Sequence, residues 1–128
     1  MKLISYRHGG RETWGAVVDG VVRDLAALTG HATLADFIAS PAWAGRDALL
    51  KLAPAGPAMA DVELLPVIPR PEKIVCAVRN YMDHHQEVLA AGMQRELSEF
   101  PPIFLRVWRS QVAHGQPIVC PRASPSLD

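Results

Sequence analysis

The sequence predicts an α+β protein: a small amino-terminal β-meander with short helices, followed by further strands and a helix. Three observations predict it. Short β-branched runs separated by Gly9-Gly10 and Asp19-Gly20 fill the first 25 positions, which is the spacing of hairpins. Helical periodicity follows from Ala26 to Leu52. A proline-rich stretch, Pro66 to Pro71, then leads into the continuous apolar run that starts at Lys73. Such a run reads as a buried strand.

In order along the chain, Lys2 to Arg7 is expected as a first strand, Thr13 to Val18 as a second and Val21 to Leu25 as a third. The inward side chains would include Ile4, Trp14, Val17 and Val22, with Trp14 a core residue. From Ala26 the pattern turns helical. Thr33 would cap a turn with Asp36 reaching back, placing Leu34, Phe37 and Ile38 on one face. Pro41 interrupts, and Trp43 to Leu52 gives a second short amphipathic helix. Pro54 to Ala58 reads as a linker and Val62 to Leu65 as a strand. A boundary falls in the Pro66 to Pro71 stretch, dividing the chain into residues 1–66 and 67–128. Beyond it come the Lys73 strand, a helix starting just after Asn80 and stopping at Gly92, and a loop over Gln94 to Phe100. Short strands are expected at Phe104 to Val107 and Ile118 to Cys120, with turn-formers from Ser124 to Asp128.

Composition narrows the function. Of 128 residues 49% are apolar and 20% charged, an ordinary globular balance that argues against disorder. Thirteen basic residues balance thirteen acidic ones, so charge points to neither nucleic acid nor an anionic membrane. The start becomes polar too early for a signal peptide or a span. Cys76 and Cys120 each lie in an apolar run, as reduced core thiols of a cytoplasmic protein would.

The chemistry-bearing residues gather after the Lys73 strand. His84 and Glu87 stand three apart, so a helix there puts imidazole and carboxylate on one face. A carboxylate beside an imidazole fixes its tautomer and raises its basicity, which suits proton abstraction from water or a carbon acid. On an ordinary exposed helix the same pair would be only a solvated contact. Arg79 and Arg106 are candidates for substrate carboxylates, because a guanidinium binds a carboxylate through two parallel hydrogen bonds. Asn80 and Tyr81 would either close the strand-to-helix turn or touch a ligand. Asp83 is expected to cap the helix or to orient the dyad, capping being the simpler account, and His85 to be a surface imidazole. His8, His31 and His114 show no ligand spacing and read as surface or turn residues.

The run Asn80-Tyr81-Met82-Asp83-His84-His85-Gln86-Glu87 resembles the Asn-Tyr-x-x-His-x-x-Glu signature of the fumarylacetoacetate hydrolase family. Ile68-Pro69-Arg70-Pro71-Glu72-Lys73-Ile74 looks like the lead-in to that family's catalytic domain, a mixed β-sheet of which only the first strands and helix would be present, and Pro102-Ile103-Phe104-Leu105-Arg106 like its next strand. Gly115-Gln116-Pro117-Ile118 with Pro121-Arg122 resembles the hairpin after it. Met1 to about Asp24 is similar to the small β-rich domain found before the catalytic domain in bacterial members. Val78 departs from the glycine common in relatives, and Arg106 from a common lysine.

The resemblance implies a metal-dependent hydrolase, lyase or isomerase acting on 2-oxo or 2-hydroxy-dienoic diacids from aromatic catabolism. His84 and Glu87 would be the dyad that activates water, with Arg79, Asn80, Tyr81 and Arg106 around the substrate. The family's Mg²⁺ (or Mn²⁺ or Ca²⁺) is held by a Glu-x-Glu pair that follows the position of Asp128, and by a later acid. The resemblance therefore implies an amino-terminal part of a longer, homo-oligomeric enzyme, with no metal site and negligible turnover of its own. The competing expectation is a non-enzymatic piece that serves protein association.

Overall fold

The computed structural model describes residues 2–78, 81–92 and 99–123. They form a mixed α+β protein whose contacts fall into two units, the described residues of Met1–Arg70 with Gln111–Asp128, and those of Pro71–Ser110.

The first unit is built on hairpins. Strands β1 (Lys2–His8), β2 (Arg11–Val18) and β3 (Val21–Asp24) pair antiparallel in sequence order. Both linking turns have two residues with positive φ, Gly9 and Gly10 at 56° and 77°, Asp19 and Gly20 at 51° and 75°. That backbone has the twist of the flanking strands, and Gly and Asp are the residues that enter it most cheaply.

Helices cover one face of this sheet. Helix α1 (Ala26–Thr29) receives Asp24 Oδ1 on the N–H of Ala27 at 3.2 Å. Helix α2 (Leu34–Ala39) opens with a complete capping box. Thr33 Oγ1 accepts from the Asp36 N–H at 3.1 Å, and Asp36 Oδ2 accepts from the Thr33 N–H at 3.2 Å. A 3₁₀ turn, Pro41–Gly45, runs into α3 (Arg46–Leu52). Trp14, Ala16, Leu25, Leu34, Phe37 and Ala53 form the buried core. Phe37 is its centre: Trp14 stacks on it at 4.8 Å, and Trp43 and His31 meet it edge-on at 5.8 and 5.7 Å.

Strand alternation divides the meander's apolar residues between two faces. Trp14 and Ala16 point to the helices, whereas Ile4, paired with Gly15, lies on the opposite face with Val17 and Val22. The expected single inward set is thereby corrected, because Trp14 and Val17 are an odd number of residues apart. The second face buries Val22 and Tyr6. Tyr6 is 2% exposed, and burial, with the Asp24 carboxylate nearby, pushes its phenol up to about 12.

Two further strands complete a sheet of order β4-β3-β2-β1-β5. Strand β4 (Ala55–Ala58) pairs with β3 across an irregularity between Val21 and Arg23, and β5 (Glu63–Leu64) pairs with β1. The stretch expected as a linker thus contains an edge strand, and Pro57 is tolerated there because an edge position can spare a donor. Gly15, opposite Asp24, lies so close to β3 that an added Cβ would strike the carbonyl oxygen of Arg23.

The second unit has two strands, β6 (Ile74–Ala77) and β7 (Ile103–Arg106), paired antiparallel, with α4 (Met82–Ala90) between them in sequence. The register puts Val75, Ala77, Ile103 and Leu105 on one face, and Ile74, Cys76, Phe104 and Arg106 on the other. The first face is wholly apolar, yet Val75, Ile103 and Leu105 are 58%, 70% and 68% exposed. Strand β6, expected as a buried strand, is therefore exposed along this face, and a two-stranded ribbon is marginal by itself.

Other expectations need correction. Ile38 is exposed while Leu34 and Phe37 are buried, since six helical residues present only a narrow covered stripe. Ile118 to Cys120 form no strand; Ile118 and Val119 are exposed, and no described strand pairs with them. Cys120 is accordingly an exposed thiol instead of a core one, and Cys76 is half-buried. The loop expected over Gln94 to Phe100 falls mainly, and the Ser124 to Asp128 turn-formers wholly, outside the described residues.

Candidate functional site

The candidate site is built by β6 and α4. Strand β6 ends at Ala77, and the N–H of Val78 still donates to the carbonyl of Pro102 at 2.9 Å, prolonging the ribbon by one bond. Arg79 and Asn80, both expected at the site, lie outside the described residues. Tyr81 then stands extended, at φ −141° and ψ 150°, as the residue that caps α4. Its carbonyl accepts from the N–H of His85 at 3.3 Å, and its side chain is 69% exposed.

His84 occupies the third position of α4 and Glu87 the sixth, so the backbone sets both on one side of the helix. Glu87 is exposed, and its carbonyl accepts from the N–H of Ala91 at 3.0 Å as the helix closes. Gly92, at φ 77°, ends the helix in the left-handed conformation expected of a terminating glycine. Asp83 is not the cap: Tyr81 holds that position, with no side-chain capping bond, and Asp83 lies inside the first turn. A carboxylate there favours the helix through the exposed N–H groups of that turn. His85, expected at the surface, is half-buried.

Arg106 pairs with Ile74, at the end of the ribbon where β6 begins, whereas α4 follows the end where Ala77 faces Ile103. Three strand residues, about 10 Å, separate the two ends. The Arg106 guanidinium donates to the carbonyl of Ser110 at 3.5 Å. Thus the described backbone joins Tyr81, His84 and Glu87 on one short segment and places Arg106 along the ribbon from it. No group of three or more His, Cys, Asp or Glu side chains that could hold a metal ion occurs among the described residues.

In the first unit, a charge cluster that sequence reasoning missed sits where β1 and β2 pair. Arg7 donates to Glu12 and to Glu63, both at 2.7 Å. The hydrogen bond from Arg7 holds the Glu12 carboxyl below the usual carboxylate range. Arg70 approaches the other Glu12 oxygen at 3.8 Å. The cross-strand pairing of Arg7 with Glu12 was legible once the Gly9-Gly10 turn set the register. Glu63 and Arg70 come from more than fifty residues away and carried no local signal.

No family model matches the sequence, and no curated protein matches it. No helix among the described residues is long and apolar enough to cross a membrane.

Proposed function

We propose that this chain is the amino-terminal part of a fumarylacetoacetate hydrolase-like enzyme acting on small 2-oxo or 2-hydroxy-dienoic diacids. One observation carries the reading. A strand with apolar residues on both faces is followed within five residues by a helix bearing His84 and Glu87 three apart. The Asn80-Tyr81 step of the resemblance occupies the junction. The exposed apolar ribbon further supports a sheet that continues beyond β6 and β7.

In this reading Glu87 orients the His84 imidazole, and His84 takes a proton from water. The hydroxide adds to the substrate's distant carbonyl carbon, the adjacent C–C bond breaks, and its electron pair passes into the enolate of the departing oxo acid. Arg79 or Arg106 holds the far carboxylate as a two-pronged donor. The Mg²⁺ of the family reading has no fitting set of ligands among the described residues.

The test is acylpyruvate cleavage with Mg²⁺, run on this chain and on the product of any reading frame that continues past Asp128. Turnover is expected only from the longer product, with His84→Ala or Glu87→Gln lowering kcat by about 10²- to 10⁴-fold. Activity of the 128-residue chain that disappears with His84→Ala would overturn its standing as a part. A longer product indifferent to His84→Ala would overturn the dyad.

A second reading, a protein-association piece, draws on the same exposed face of Val75, Ile103 and Leu105. Sedimentation of the chain with and without a full-length relative separates the two.

A further inference from the structure

The first unit contains a cleft of about 300 Å³ that the dyad reading does not use. It lies between the start of β2, the start of α2 and the segment after β5, with Glu12, Trp14, Leu34, Leu65, Ile68 and Arg70 among its walls. That volume is at the lower end of small-molecule sites.

Trp14 and Leu34 are each 1% exposed and only back the cleft, so the apolar surface open to a ligand comes from the half-buried Leu65, Ile68 and Pro69. The indole N–H of Trp14 is already committed to the carbonyl of His31 at 2.9 Å and gives the cleft no donor. Two of the lining hydroxyls are committed too. Ser5 Oγ donates to the Val67 carbonyl at 2.7 Å, and Thr33 Oγ1 donates to Asp36 at 2.7 Å. A ligand therefore gains by filling the interior with an apolar body and directing any charge outward.

At the rim Glu12 is held firmly by Arg7 at 2.7 Å, whereas Arg70 reaches Glu12 only at 3.8 Å and remains 72% exposed. The Arg70 guanidinium thus has donors to spare for a carboxylate, in the two-pronged geometry that suits one. Glu12, ionised beside it, penalises a second negative charge on the same ligand.

We infer that this cleft binds a small monocarboxylate with an aromatic or branched aliphatic body, the body against Leu65, Ile68 and Pro69 and the carboxylate on Arg70. The inference is independent of the dyad reading, since every residue it uses lies outside α4.

Backbone amide shifts on titration of the whole chain test it, with phenylacetate, benzyl alcohol and phenylphosphate as probes. Phenylacetate is expected to shift the amides of Leu34, Ala35 and Ile68 saturably at millimolar concentration. Arg70→Gln should weaken it about tenfold or more, and Arg70→Lys by less, because charge survives without the fork. Arg70 is exposed, so an unchanged thermal unfolding curve is expected to accompany the loss in Arg70→Gln. The inference is overturned if benzyl alcohol or phenylphosphate binds as tightly as phenylacetate. It is equally overturned if Arg70→Gln binds phenylacetate normally, or if no saturable shift occurs at these amides.

Discussion

The indole N–H of Trp14 donates to the carbonyl of His31 at 2.9 Å, tying the second strand of the sheet to the loop that precedes α2. The same ring stacks on Phe37 at 4.8 Å, so one side chain fixes both the loop and the helix after it. Trp14→Phe removes the donor, leaves the His31 carbonyl without it and shortens the buried ring. A loss of about 1–3 kcal/mol is expected from the stranded acceptor and the space left behind. Urea unfolding followed by circular dichroism measures it; a midpoint equal to that of the parent protein would contradict this account.

Thr33 and Asp36 each supply half of the box that starts α2, through bonds of 3.1 and 3.2 Å. Thr33→Ala should cost about 1 kcal/mol, within the range for lost caps. Asp36→Ala should cost less, and the double variant less than the sum, because each single change already breaks the reciprocal pair. Strictly additive losses in denaturant unfolding would show that the two residues act separately.

Tyr6 makes stability fall in alkali. Burial raises its phenol to about 12 in the folded protein, against 10.0 for an unperturbed tyrosine. The folded state thus keeps a proton that the unfolded chain releases first. This contribution is fully present below pH about 10 and is lost as pH rises through about 12. In a Tyr81→Phe background, ultraviolet titration should show phenolate forming late, together with unfolding. Phenolate appearing near pH 10 while the near-ultraviolet dichroism persists would refute it. Tyr6→Phe should remove this part of the alkaline sensitivity.

Local chemistry carried the parts of this fold that sequence alone revealed. Asp19-Gly20 specifies a turn through its own backbone, Thr33 and Asp36 specify a helix start within four residues, and Gly92 specifies a stop. What escaped was set by distant partners. Strand β4 looked like a linker because its pairing with β3 lies across more than thirty residues, and Gly56 and Pro57 disguise it. Ile118 to Cys120 looked like a strand because apolar β-branched residues favour one, but no neighbour pairs with them among the described residues. The division of Ile4, Val17 and Val22 from Trp14 required strand parity to be counted through the turns. At the candidate site the helical spacing of His84 and Glu87 was readable for the same local reason. The position of Arg106 depended on the register of a ribbon with 25 residues between its strands.

Gly15 gives the meander a keyed fit. A slip of β2 by two residues would keep every side chain on its own face, so hydrophobic patterning alone would permit it. Such a slip would bring Thr13 or Val17 to the place opposite Asp24, where the Arg23 carbonyl leaves room for hydrogen only. Both are β-branched and cannot enter. The close approach at Gly15 therefore acts as a gauge that rejects a hairpin misaligned by two residues.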